Sequence, residues 1–232
     1  MQRIWYVAYG SNLSTARFRC YLSGGRPAGA ARLYAGCRDP GDPTRIAAVP
    51  ATGGLVFAGA SRVWQGGMAF YDRSAPGVLA ARAYLVTTEQ FADVVAQELR
   101  QPPGGELARN LCDLLPGAGS VVTAGAGLYG TVVRLGELDG APMFTITHHD
   151  TDKLPSTAPT AAYLRWIAIG LRESHGYRDD QIVSYLVRAR GISEVWTEEE
   201  LLTLAAGTHP SRHGRPVSTG SRTGPPPRRV TP

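Results

Sequence analysis

Ile4-Trp5-Tyr6-Val7-Ala8-Tyr9-Gly10-Ser11-Asn12 is the stretch whose reading decides the fold. Residues 4–8 are a short run rich in aromatic and β-branched side chains, ended by Gly10, which is the pattern of a buried strand. Helical signals begin at once after it. Ser14 suits an N-cap, and Arg17, Phe18 and Tyr21 follow at helical spacing. The sequence therefore predicts strand, tight loop, helix. Gly10 lets the backbone turn where a side chain would clash. The loop amides would then face whatever lies beyond the strand end, next to a helix N-terminus that favours negative charge. Gly-Ser-Asn is also common turn chemistry, so its local spacing is equally explained by chain reversal alone.

Working outward, Gly24-Gly25-Arg26-Pro27 reads as a turn, residues 29–35 as a short strand, and residues 36–53 as an exposed Gly/Pro/Asp-rich loop. Short apolar runs then crowd together at 55–61, 67–71 and 78–86, separated by turn residues. Further strands are expected over 120–135 and 141–148, with Asp139-Gly140 as a hairpin turn. Such crowding favours antiparallel pairing over βαβ units. The expected class is α+β: a mixed, largely antiparallel small β-barrel or sheet with packed helices.

The informative helix follows residue 87. Thr87-Thr88-Glu89-Gln90 fits a capping box, and Phe91, Val94 and Val95 form an apolar face. At about 100° per residue, Glu98 falls in the middle of that face, while Glu89, Asp93, Gln97 and Arg100 fall opposite. Glutamate is seldom buried unless paired, and desolvation raises its pKa. Three readings stay open for Glu98: a proton-handling group, a structural partner of an arginine, or a residue left in solvent by an early helix end. Pro102-Pro103-Gly104-Gly105 stops this helix, and residues 106–115 suit another short one. Two amphipathic helices are expected near 160–174 and 178–189. Thr197-Glu198-Glu199-Glu200 opens a last helix that Gly207 closes.

The net charge of +5 resides in residues 207–232, which hold five arginines and no acid. Residues 1–206 are neutral overall, so the basic balance is no argument for a nucleic-acid surface on the fold. The Arg/Pro/Gly-rich tail reads as disordered. No apolar run reaches membrane-spanning length, and no signal-peptide pattern opens the chain. Three widely spaced cysteines without a CxxC pair suggest reduced thiols and a cytoplasmic setting.

Several motifs are set aside on physical grounds. Gly125-Ala126-Gly127-Leu128-Tyr129-Gly130 has the letters of a dinucleotide loop, but a strand follows it where a helix is needed. His148 and His149 would point to opposite faces of a strand, so no metal site is expected. Ser11 sits in no G-x-S-x-G elbow.

With these residues in view, the sequence resembles the γ-glutamylcyclotransferase-like family. The apolar strand running into Tyr9-Gly10-Ser11-Asn12-Leu13 is similar to the family's opening motif. Glu98, on the helix after Tyr84-Leu85-Val86-Thr87-Thr88, stands where the family's single catalytic acid stands. Ala158-Pro159-Thr160-Ala161-Ala162-Tyr163, through Gly170 and His175-Gly176-Tyr177, looks like its C-terminal segment. Arg100-Gln101-Pro102-Pro103-Gly104-Gly105 departs from the family, whose enzymes often carry an aromatic residue there. The likeness implies a domain over residues 1–190, a helical extension at 191–206 and the tail at 207–232. It implies intramolecular acyl transfer on a small-molecule γ-glutamyl amine or amino acid, without cofactor or metal, releasing 5-oxoproline and a free amine. Glu98 would be the acid–base. Tyr9, Gly10, Ser11, Asn12 and Leu13 would bind substrate, their amides holding either the glutamyl carboxylate or the developing oxyanion. The alternatives are removal of a γ-glutamyl group from a biosynthetic intermediate or isopeptide, and a non-catalytic binding module.

Overall fold

Arg3–Ala8 forms β1, the strand from which the rest is hung. The computed structural model describes residues 2–208, so the expected disorder of the arginine-rich tail lies almost wholly outside the described residues. β1 pairs antiparallel with β5 (Val78–Thr87) and parallel with β8 (Ala141–Thr147). It is thus interior to the sheet, with both faces covered, which is why its sequence is apolar at successive positions and not alternating. Trp5, Val7 and Tyr9 enter one core cluster, whereas Ile4, Tyr6 and Ala8 enter another.

The six-stranded sheet runs β2 (Arg45–Thr52), β5, β1, β8, β7 (Thr131–Leu138), β6 (Val121–Thr123). A separate hairpin joins β3 (Gly54–Ala58) to β4 (Met68–Asp72). On one face lie α1 (Thr15–Ser23), α2 (Thr88–Glu98) and α3 (Glu106–Leu114). On the other lie the hairpin and α4 (Ala161–His175), α5 (Asp179–Leu186) and α6 (Glu198–Ala206). Leu201, Leu204 and Ala205 of α6 belong to the same core cluster as Ile167 and Leu186.

The class is α+β and mostly antiparallel, as expected, but the sheet is open and not a barrel: β2 and β6 are its edges. Three local expectations are corrected. Residues 45–52 are a strand and not loop, with Pro50 tolerated because β2 is an edge strand. Residues 29–35 form only a bridge between Tyr34 and Gly25. Residues 124–130 interrupt the strand expected over 120–135. The Asp139-Gly140 turn is present, with φ of 50° and 76°, the positive pair such a hairpin requires.

Candidate active site

The capping box that opens α2 is formed: Gln90 N donates to Thr87 Oγ1 at 3.1 Å, and Thr87 N donates to Gln90 Oε1 at 3.0 Å. α2 then runs to Glu98, its last residue, after which Arg100 takes a positive φ of 62° and ends the helix before Pro102. The helix is buried nearly all round, so Asp93 and Gln97 do not face solvent as the wheel suggested. Asp93 accepts from Arg38 N (3.0 Å), Arg38 Nε (3.0 Å) and Gly104 N (2.7 Å). Gln97 donates to Tyr21 O and accepts from Gly36 N. The 36–42 and 100–105 segments thus fold onto a face that is polar in sequence.

Glu98 faces a cavity of about 410 Å³. It is half-buried by surface area, because one side opens to the cavity, yet protein encloses its carboxyl. Burial pushes that carboxyl above the usual carboxylate range, against the opposing pull of the Tyr21 hydrogen bond and of Arg17, Arg32 and Arg100. Tyr21 Oη is the donor to Glu98 Oε1. Burial raises the phenols around it too: Tyr21 and Tyr129 well above the usual value, and Tyr163 to about 12. These hydroxyls therefore stay protonated at neutral pH and serve as neutral donors.

Beyond Glu98 lies a small inner chamber of about 40 Å³, lined among others by Tyr9, Gly10, Ser11 and Asn12. The structure thus brings four of the five loop residues to the same place as Glu98. A Cβ on Gly10 would stand 3.0 Å from Tyr163 Oη and 3.2 Å from Ala69 Cβ, so a side chain here would crowd Tyr163 and Ala69. Tyr9 Oη donates to Ile146 O at 2.7 Å. Asn12 Nδ2 donates to Tyr6 Oη at 3.0 Å, while its Oδ1 is buried without a partner. Leu13 is placed differently. Its amide donates to Gly10 O at 3.0 Å, closing a single 3₁₀ turn over Ser11–Leu13, and its side chain packs against Gly170, away from the cavity.

The N-terminus of α1, expected to favour a bound anion, already has one. Glu173 of α4 accepts from Thr15 N at 2.9 Å and from Arg82 Nη1 at 2.7 Å. Arg82 Nη1 also donates to Leu13 O at 2.7 Å, so an ion pair between buried Arg82 and the more exposed Glu173 clamps the base of the loop.

Arg17 escaped the sequence reading, which took it as one more residue on the first helix. It is 2 % exposed and lines the same cavity as Glu98. Its sequence signal is weaker than that of Glu98: on a helical wheel Arg17 falls at the edge of the stripe formed by Phe18, Tyr21 and Leu22, beside Tyr21, and not within it. Arg32, Arg62 and Arg100 stand at the more exposed rim, and Glu98 is the sole acid among the lining residues described. Tyr34, Trp64 and Tyr129 supply the aromatic walls that the segment after Glu98 lacks. Residues 125–130 form a loop ahead of β7, and His148 Nδ1 engages the backbone of Asp150. Among the described residues no group of three or more His, Cys, Asp or Glu is placed to hold a metal ion, and no helix is long and apolar enough to cross a membrane.

No protein-family model matches the chain. It is 29 % identical over 203 residues to Histone deacetylase 5 of Arabidopsis thaliana, covering 80 % of this chain and 30 % of that protein. The chain therefore spans under a third of the length of this curated relative, and the relative's name describes that longer protein. Among solved structures, it is similar to a gamma-glutamyl cyclotransferase, with a TM-score of 0.49 and 16 % identity over 89 % of this chain and 100 % of that one. It is also similar to an uncharacterized protein from Homo sapiens, with a TM-score of 0.47 and 16 % identity over 88 % of this chain and 99 % of that one.

Proposed function

We propose that the cavity catalyses intramolecular acyl transfer on a γ-glutamyl amine or amino acid, releasing 5-oxoproline and the free amine. The observation that carries this reading is Glu98: one carboxyl of raised pKa, held by Tyr21 at the mouth of a small chamber walled by Tyr9–Asn12. The resemblance of these same residues to the γ-glutamylcyclotransferase-like motifs supports it.

The neutral α-amine of the glutamyl group attacks its own γ-carbonyl carbon. The new C–N bond forms as the carbonyl oxygen takes up the electron pair, and the amine proton passes to Glu98. Collapse of the tetrahedral species breaks the bond to the departing nitrogen, which receives that proton from Glu98. The carboxylate is regenerated, and no protein nucleophile is consumed. A group whose pKa lies nearer the operating pH is suited to both transfers. The chamber together with the adjoining cavity, which share Ser11, Glu98, Tyr129 and Tyr163 as lining, would hold the glutamyl chain curled, the proximity contribution to rate. Loop amides at Gly10, Ser11 and Asn12 stabilise the developing oxyanion. The outer cavity, about 410 Å³, takes the departing amine, and its volume also admits the larger amine of a γ-glutamylated intermediate or isopeptide.

Incubation with γ-glutamyl-alanine and a panel of other γ-glutamyl amines, read by mass spectrometry for 5-oxoproline, tests the reading. Product from the wild type and almost none from Glu98→Gln is expected. Product surviving in Glu98→Gln removes Glu98 from its role. Absence of product from every substrate makes the protein a binding module.

A further inference from the structure

Arg17 carries an unusual set of contacts. Its Nη2 donates to Tyr34 Oη at 2.7 Å, but Nε and Nη1 are buried without a partner of hydrogen-bonding geometry. None of the ion pairs among the described residues includes it. The guanidinium carbon lies 4.7 Å from the Tyr21 ring centroid, 4.5 Å from Tyr34 and 5.8 Å from Trp64. Ring faces hold a cation in place without occupying its N–H groups. Arg82, the other buried arginine near the loop, also has an unpartnered Nε, but its charge is met: its Nη1 serves both Glu173 and Leu13 O.

Tyr21 stands between Arg17 and Glu98, which feel each other's charge but form no direct ion pair. Arg17 lies over the face of its ring, and Glu98 takes the hydroxyl at its tip. One cavity therefore offers a cation with spare donors and a carboxylate with spare acceptor capacity, held apart by an aromatic spacer. A ligand matched to that pair bears an anion and an amine on neighbouring atoms. An α-amino acid head group has them on one carbon.

We infer that Arg17 recognises the α-carboxylate of the bound glutamyl group, leaving the Gly10–Asn12 amides to the γ-carbonyl oxygen. This rests on the function proposed above and divides the labour within that site. Burying an arginine with unmet donors is costly, and a carboxylate ligand offsets that cost through charge-assisted hydrogen bonds. Arg32, Arg62 and Arg100 line the same cavity nearer solvent, where screening weakens what each can contribute.

The test uses binding, which needs no turnover. 5-Oxoproline carries the carboxylate, and 2-pyrrolidinone is the same ring without it. Titration calorimetry on the wild type should show 5-oxoproline bound at least about tenfold more tightly. Arg17→Met should erase the preference, and Arg17→Lys should keep part of it. Preference retained in Arg17→Met, or no preference in the wild type, overturns the inference. Should both variants fail to fold, crystals of the wild type soaked in 5-oxoproline decide: the carboxylate lies on Arg17, or it lies on the Ser11 and Asn12 amides and the assignment falls. A carboxylate preference lost with Arg17, but no conversion of γ-glutamyl-alanine, would sink the proposed reaction and leave this assignment standing.

Discussion

Asp93 and Glu98 sit on one helix, five residues apart, and the fold treats them in opposite ways. Asp93 is wholly buried and fully engaged: Arg38 contributes its amide and Nε, and Gly104 contributes its amide. It closes two loops onto α2. Glu98 has one protein donor, Tyr21, and an open side toward the cavity. A saturated carboxylate is a structural fastener. A desolvated one with capacity to spare is poised to exchange protons. Partner count separates the two roles here, because both are enclosed by protein.

The largest expected effect comes from removing the proposed proton-handling group. Glu98→Gln should lower kcat/KM for 5-oxoproline release by about 10³-fold, within the range for general acid–base catalysis, while a urea melt shows a folded protein. Asp93→Ala should do the reverse. It strips partners from two backbone amides and one guanidinium, so a cost of roughly 2–3 kcal/mol in unfolding free energy is expected. If Asp93→Ala abolished turnover in protein that remained folded and unshifted in stability, the contrast between the two carboxylates would break.

A smaller effect sharpens the comparison from within the site. The Tyr21 hydrogen bond pulls the Glu98 pKa down, so Tyr21→Phe lets it rise further. The acid limb of the pH–rate profile should then move to higher pH. Activity should fall roughly tenfold on the acid side and less on the alkaline side. A uniform loss at every pH would assign Tyr21 a purely positional part. Smallest of all is the effect of Glu98 on stability. Its folded-state pKa is raised, so its favourable contribution is complete below the unfolded pKa and is lost as pH rises through the folded value. Glu98→Gln should therefore have a higher Tm than the wild type near neutral pH, and the gap should close in acid. A gap that widened in acid would mean Glu98 is stabilised as a carboxylate after all.

Much of the fold was legible in the sequence because its signals are local. The capping boxes at Thr87 and Thr197, the turn at Asp139-Gly140 and the aromatic run of β1 each specify their own geometry within a few residues. β2 was missed because an edge strand with Pro50 and alanines carries a weak pattern; pairing with β5 supplies what its composition does not. The polar face of α2 was read as solvent-facing for a similar reason. A helical wheel shows which residues share a face, not what lies against it.

The site divides the same way. Sequence alone determined that a glycine-bearing loop ends a buried strand, and that Glu98 shares the apolar face of a helix some ninety residues later. Tertiary structure decided that the two meet, that Glu173 already fills the N-terminus of α1, that Leu13 packs away from the cavity, and that Arg17 is left with donors to spare. Periodicity is a property of one segment and can be read from it. Whether a buried charge is saturated depends on groups from segments far apart in the chain, and only their packing supplies the count.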